Sequence, residues 1–118
     1  MTEGYKTIVA GSRGILSYME VVKAIEDAPW EISEVVCGGA VGPDSLGERW
    51  ARVNNIPIKM MKADWNKHGS AAGPIRNAEM AKYADRAIVV WDGESPGSKN
   101  MIKEMNRLDK KTHVRVVI

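Results

Sequence analysis

The chain has 118 residues, room for one domain over 1–118, and its 44% hydrophobic content is ordinary for a globular protein. Its 17 basic and 15 acidic side chains leave a formal charge of +2, a balance that points to neither nucleic acid nor an anionic membrane as partner. Cys37 is the single cysteine, which excludes an internal disulfide and a cysteine metal cluster and fits a cytoplasmic location; no apolar run reaches membrane-spanning length, and Met1 to Lys6 is polar, without a signal-peptide core.

Thr7-Ile8-Val9-Ala10 reads as the first strand, and Gly11-Ser12-Arg13-Gly14 turns after it. Ser17 and Glu20 have capping-box spacing. They predict a helix from Tyr18 to about Ala28, with Val21, Val22 and Ile25 toward a sheet and Pro29 as its stop. Glu34 to Cys37 is the second strand, followed by Gly38-Gly39-Ala40-Val41-Gly42. Pro43-Asp44 opens a helix to about Asn54, with Leu46, Trp50 and Val53 on its apolar side. Pro57 to Met61 is the third strand, and Ala63 to Ala72 a longer loop carrying Asp64, Trp65 and His68.

Gly73-Pro74 then opens a helix to about Ala84. Ile75, Ala78, Ala81 and Ala84 can pack on the sheet, with Arg76, Met80 and Tyr83 on a neighbouring stripe. Arg86 to Trp91 is a β-branched apolar run suited to a buried parallel strand. After the loop Asp92–Ser98, a helix to about Lys110 turns Met101, Ile102, Met105 and Leu108 inward, with Lys110 and Lys111 suiting its C-terminal dipole. His113 to Ile118 is the last strand.

Strands and helices alternate throughout. The pattern implies a single α/β Rossmann-like domain, a parallel five-stranded sheet with helices on both faces. Order 3-2-1-4-5 puts the switch point between the first and fourth strands, where ligands of open α/β sheets bind. The loops Gly11–Gly14, Gly38–Asp44, Asp64–Gly73 and Asp92–Ser98 then share one rim.

Each rim motif has two readings. Gly38 to Asp44 has the form of a phosphate cradle at a helix start, or of a tight strand-to-helix turn. It lacks the Gly-Lys-Ser/Thr of a Walker loop. Asp44 reads either as a ribose ligand or as a first-turn acid complementing the dipole. Ser12 and Arg13 offer a hydroxyl and a cation to a phosphate or carboxylate, or form a solvated turn. Trp65 can stack on a base or fasten its loop to the core. Arg76, placed in a first helical turn, opposes the dipole by about 0.3–1 kcal/mol. It is either a phosphate ligand or a surface cation, alone or paired with a local carboxylate such as Glu79. His68 has no companion at zinc-like spacing, so no metal site is expected. Lys99, Lys103, Arg107 and Lys110 form a stripe that reads as a solvated face. The sequence pattern supports no Ser-His-Asp arrangement.

Taken together, five stretches resemble the SLOG superfamily, the Rossmann-like group that includes the LOG phosphoribohydrolases and DprA, and within it the small stand-alone YspA-type branch. They are Val9–Arg13, Cys37–Asp44, Ala63-Asp64-Trp65 with His68-Gly69, Ala72–Met80, and Trp91-Asp92-Gly93 with Ser95–Ser98. The resemblance implies a pocket for a nucleotide or nucleotide-derived ligand: an ADP-ribose or NAD derivative, a nucleoside monophosphate or a signalling nucleotide. Arg76 and Met80 stand in the relation of the LOG Arg and Met. Gly97 and Ser98 resemble part of the LOG phosphate loop. The position of the LOG catalytic Glu falls on Met101, which can neither stabilise a ribosyl cation nor handle a proton. Asp44, Asp64, Asp92 or Glu94 could supply a carboxylate instead, and no catalytic residue is assigned.

The ligand-binding set expected is therefore Gly11, Ser12, Arg13, Gly38, Gly39, Ala40, Asp44, Trp65, Arg76, Asn77, Gly97 and Ser98, with no metal and no cofactor. A binding or sensor module leads. An N-glycosidic hydrolase of the nucleoside 5′-monophosphate phosphoribohydrolase type is the alternative, and a DprA-like DNA-binding module a second. Four Trp and seven Met in a small domain also suggest a homodimer.

Overall fold

The computed structural model describes residues 4–118. In chain order the elements are β1 (Tyr5–Gly11), α1 (Tyr18–Asp27), β2 (Ile32–Cys37), α2 (Pro43–Val53), β3 (Ile58–Met60), α3 (Trp65–His68), a 3-10 turn (Gly69–Ala71), α4 (Ala72–Tyr83), β4 (Arg86–Trp91), α5 (Pro96–Arg107) and β5 (Thr112–Val116). Met1 to Glu3, part of the segment read as lacking a signal core, lie outside the described residues. None of the described helices is long and apolar enough to cross a membrane.

Every strand pairing is parallel, and the order is β3-β2-β1-β4-β5. This is the Rossmann-like α/β architecture that the alternation of elements implies. Parallel neighbours need crossover connections, which place helices over both faces of the sheet. Side chains alternate along each strand accordingly. Val9, Val35, Ile88 and Val90 face α1 and α2, joining Val21, Ala24, Ile25 and Ala51. Ile8, Val36 and Val89 face α4 and α5, joining Met80, Ala81, Met101 and Met105.

Burying each of those methionines is worth about 1.5–3 kcal/mol, against 0–1 for an exposed ion pair such as Arg107–Glu104. Met80, Met101 and Met105 thus fasten α4 and α5 to the sheet. As core side chains they no longer argue for an interface.

Several local expectations are corrected. Ser17 makes no side-chain cap, and the Glu20 carboxylate, the other half of the expected capping box, pairs with Arg115 of β5, whose Nε donates to Glu20 Oε2 at 2.8 Å. Val53 is exposed. Leu46 and Trp50 do pack, partly buried, against the core, but the fully buried residues of α2 are Pro43, Asp44, Gly47 and Ala51, because α2 lies close on β1. Residues 65–71, expected as loop, are helical: Asp64 Oδ1 accepts the Lys67 N–H at 3.0 Å and caps α3.

That helical lead-in starts α4 at Ala72 rather than Pro74. Proline is tolerated at the third helical position because the first four N–H groups of a helix have no intrahelical partner. Arg76 therefore sits in the second turn, and the first-turn dipole argument for it lapses. The face of α4 that is buried is Asn77, Met80 and Ala81; Ile75 and Ala78 are only partly covered. Helix α5 starts at Pro96 and ends at Arg107. Lys110 then reaches back to cap α4, its Nζ donating to Ala81 O at 2.7 Å, Lys82 O at 3.1 Å and Ala84 O at 2.6 Å.

Candidate functional site

The sheet order reverses between β1 and β4, and a cavity of about 490 Å³ lies there. Gly11 at the end of β1 and Ser12 and Arg13 after it line the cavity, with Ala40 from the loop after β2, Asp44 from the start of α2, and Trp65 from α3. Arg76 and Asn77 come from α4, and Gly97 and Ser98 from the start of α5. The four rim loops converge. Buried Met80 and Met101 add apolar lining.

Gly38 and Gly39 do not line the cavity. A Cβ on Gly38 would fall 2.0 Å from Arg76 Nη1, so glycine is what lets the guanidinium lie against the backbone there. Gly39 faces Met60 and Lys62 instead. The cradle expected at residues 38–42 is occupied from within. Asp44 Oδ2 accepts the N–H of Gly38 at 3.1 Å and of Ala40 at 3.3 Å. Those amides are already committed. Asp44 is 5% exposed, and burial raises its carboxyl above the ordinary range, opposed by the nearby charge of Arg76 and by the two amides.

Arg76 does not pair with Glu79. Its Nη1 donates to Gly38 O at 3.0 Å and its Nε to Asn77 Oδ1 at 3.1 Å. Asn77 is buried, and its Nδ2 donates to Gly97 O at 3.2 Å and to Asn100 Oδ1 at 2.9 Å. One chain of hydrogen bonds thus runs from the loop after β2, through α4, to the start of α5. Arg76 and Asn77 fix the two ends of the cleft relative to each other.

Ser12 and Asp92 organise the opposite wall. Ser12 Oγ accepts the Asp92 N–H at 3.0 Å, and the Ser12 N–H donates to Val90 O at 3.0 Å. Asp92 in turn accepts the N–H groups of Ser95 and Glu94 and the Ser95 hydroxyl. These bonds, the Ser95 amide foremost, hold its carboxyl down at about 2. Asp92 is a loop brace, and Asp64 a helix cap. Glu94 is exposed and does not line the cavity. Asp44 is the one carboxylate among the lining residues.

The start of α5 is built differently. No acidic residue lies in its first turn, and Ser95 makes no side-chain cap. Ser98 is 4% exposed, lines the cavity, and its hydroxyl has no partner among the described residues. The only sealed polar side-chain atom without a partner among those residues is Thr112 Oγ1, so the Ser98 hydroxyl is reached from the cleft. Arg13 is exposed on the rim and forms no ion pair among the described residues.

Trp65 is 53% exposed, which sets aside its role as a fastener to the core; its ring stands over Gly73 at the cleft. Cys37, buried behind the site, has its thiol pushed up to about 12, mainly by burial, and is inert. Among the described residues no group of three or more His, Cys, Asp or Glu is placed to hold a metal ion.

Sequence reasoning missed Asn100, and it left Met80 and Met101, singled out through the resemblance, off the expected lining. Helical spacing would have found them: Met80 is four residues after Arg76, and Asn100 and Met101 are three after Gly97 and Ser98.

No family model and no solved structure matches the chain. A curated relative does: the Gene 61 protein of Mycobacterium phage D29 is 31% identical over 112 residues, covering 86% of this chain and 89% of the relative. On that likeness the chain belongs to the family of the phage Gene 61 protein.

Proposed function

We propose that the cleft binds a nucleotide or nucleotide-derived ligand carrying ribose and phosphate, and that the domain is a binding or sensor module of the SLOG type. The carrying observation is the start of α5. A twelve-residue helix meets the cleft with no carboxylate in its first turn, and buried Ser98 offers an unpartnered hydroxyl there. Helix N-termini favour anions, and the backbone N–H groups of a first turn lack intrahelical partners. Arg13 and Arg76 add positive charge on the same cleft. The exposed Trp65 ring supplies a surface for a base, and Met80 and Met101 an apolar lining. The SLOG assignment rests on the motif residues quoted above. A cytoplasmic, self-associating protein is part of the same reading.

A second reading, N-glycosidic hydrolysis, is favoured by one feature: Asp44 supplies a carboxylate to a cleft in which Met101 replaces the LOG Glu. DNA binding is disfavoured by the near-neutral charge.

The test is calorimetric titration with nucleoside 5′-monophosphates, ADP-ribose, NAD and cyclic dinucleotides, followed by chromatography of the mixtures. Saturable binding with the ligand recovered intact supports the sensor reading. Release of free base supports the hydrolase. Absence of binding to every one of these overturns the proposal.

A further inference from the structure

We infer that Asp44 is a hydroxyl-reading residue: its second carboxylate oxygen accepts hydrogen bonds from the sugar hydroxyls of the bound ligand and makes the site selective for ribo over deoxyribo compounds. The inference rests on the reading of the cleft as a site for a ribosyl phosphate.

Three observations lead to it. Asp44 is the single carboxylate lining the cavity among the described residues. Its Oδ2 is tied to the N–H groups of Gly38 and Ala40, so the side chain cannot swing out of place. Its Oδ1 has no protein donor among the described residues, yet it is not a sealed atom, since Thr112 Oγ1 alone has that status there. The oxygen is therefore held rigidly and reached from the cleft. An ionised carboxylate only accepts hydrogen bonds, so it calls for a donor. Neutral hydroxyls are such donors. A phosphate is not, and its charge would repel Asp44.

Charge thus orients the ligand. Its anionic end belongs at the start of α5, where no acid stands in the first turn, and its hydroxyl end at the start of α2. Burial of Asp44 strengthens the discrimination. A buried acceptor left unpaired by a deoxy compound forfeits its hydration without compensation, which is how sites built for a hydroxyl reject analogues lacking one.

The test needs no variant at first. Adenosine and guanosine 5′-monophosphates are titrated into the wild-type protein beside their 2′,3′-dideoxy counterparts. The ribonucleotide should bind at least tenfold more tightly. Asp44→Asn keeps a carbonyl oxygen for the two amides but turns an NH₂ donor toward the ligand. It should reduce the preference to within about threefold, with circular dichroism unchanged. Equal affinity of the wild type for both sugars overturns this inference and leaves the nucleotide reading standing. So does an undiminished preference in a folded Asp44→Asn protein. Failure of both ribonucleotides to bind at millimolar concentration overturns this inference, and the nucleotide reading falls with it only when ADP-ribose, NAD and the cyclic dinucleotides fail as well.

Discussion

The cleft lies between two helix starts that resemble each other on paper. Both α2 and α5 follow a parallel strand, both have proline near the first helical position, and neither has a side-chain N-cap. They solve the same electrostatic problem in opposite ways. Helix α2 folds its own carboxylate, Asp44, back onto the Gly38 and Ala40 amides and is closely packed. Helix α5 has no carboxylate in its first turn, and a Cβ at Gly97 would meet nothing within 4 Å. A glycine-rich turn before a helix is therefore not by itself a phosphate site. What separates the two is where the chain's own carboxylate stands: Asp44 lies inside the first turn of α2, whereas Asp92 stays ahead of α5 on Glu94 and Ser95 and leaves the first turn without an acid.

The largest expected effect probes the packed side. A Cβ on Gly11 would lie 2.0 Å from Val90 O and 2.7 Å from the Pro43 ring. Backbone cannot retreat as a side chain can, so Gly11→Ala should cost about 3 kcal/mol, read from the urea midpoint. A midpoint within error of the wild type would show that the start of α2 is not pinned to the sheet.

Arg76 joins the two sides. Arg76→Glu removes the bond to Gly38 O and places a second carboxylate near buried Asp44. Stability should fall by about 1–3 kcal/mol, and nucleotide affinity at least tenfold. A variant that melts like the wild type yet fails to bind would mean that Arg76 serves only the ligand. Normal binding would remove it from the site.

Asp44 gives the comparison a pH signature. Burial raises its folded-state carboxyl above the usual 3.8, so the native protein holds this proton to higher pH than the unfolded chain. Stability drawn from this group is then highest in acid and falls as pH rises from 3.8 through the folded value. Asparagine has no such titration. The melting-temperature difference between Asp44→Asn and wild type should move in the variant's favour from acid to neutral pH. A difference that is flat, or that moves the other way, would show that Arg76 and the amides outweigh burial.

Two serines separate brace from ligand group. Ser12→Ala leaves the Asp92 N–H without its acceptor and should destabilise by about 1 kcal/mol. Ser98→Ala removes a hydroxyl without a protein partner among the described residues, so the melt should hold while phosphorylated ligands lose about three- to tenfold in affinity. Reversed outcomes would exchange the two roles.

These contrasts also mark what could be read from the chain itself. Buried parallel strands such as Arg86–Trp91 are continuous β-branched runs, and the strand–helix alternation fixes parallel pairing, so the sheet and its order were legible. The convergence of the rim loops follows from that topology. The partners of the polar groups were not legible, because they are distant in sequence: Arg76 bonds Gly38, Asn77 bonds Gly97, Lys110 caps α4, and Glu20 pairs with Arg115. Nothing local announces that Asp44 turns back on the glycine loop while Ser98 does not. The helical stretch 65–71 was missed because it is too short for periodicity, although Asp64 ahead of it was a cap signal.

The smallest effect tests the α5 side alone. Gly97 has an ordinary negative φ, and an added methyl meets no atom within 4 Å. Alanine is the better helix former, by about 0.5–1 kcal/mol in a helix interior and less in a first turn. Gly97→Ala should therefore leave stability unchanged or raise it slightly. The same methyl lies on the cleft, beside the amides argued to receive the anion. Phosphorylated ligands should bind more weakly, while the melting temperature holds or climbs. Stability and binding moving in opposite directions is the mark of a residue kept as glycine for the approach of something outside the chain. If affinity is unchanged, the anion does not sit against Gly97. The two helix starts would then differ only in packing.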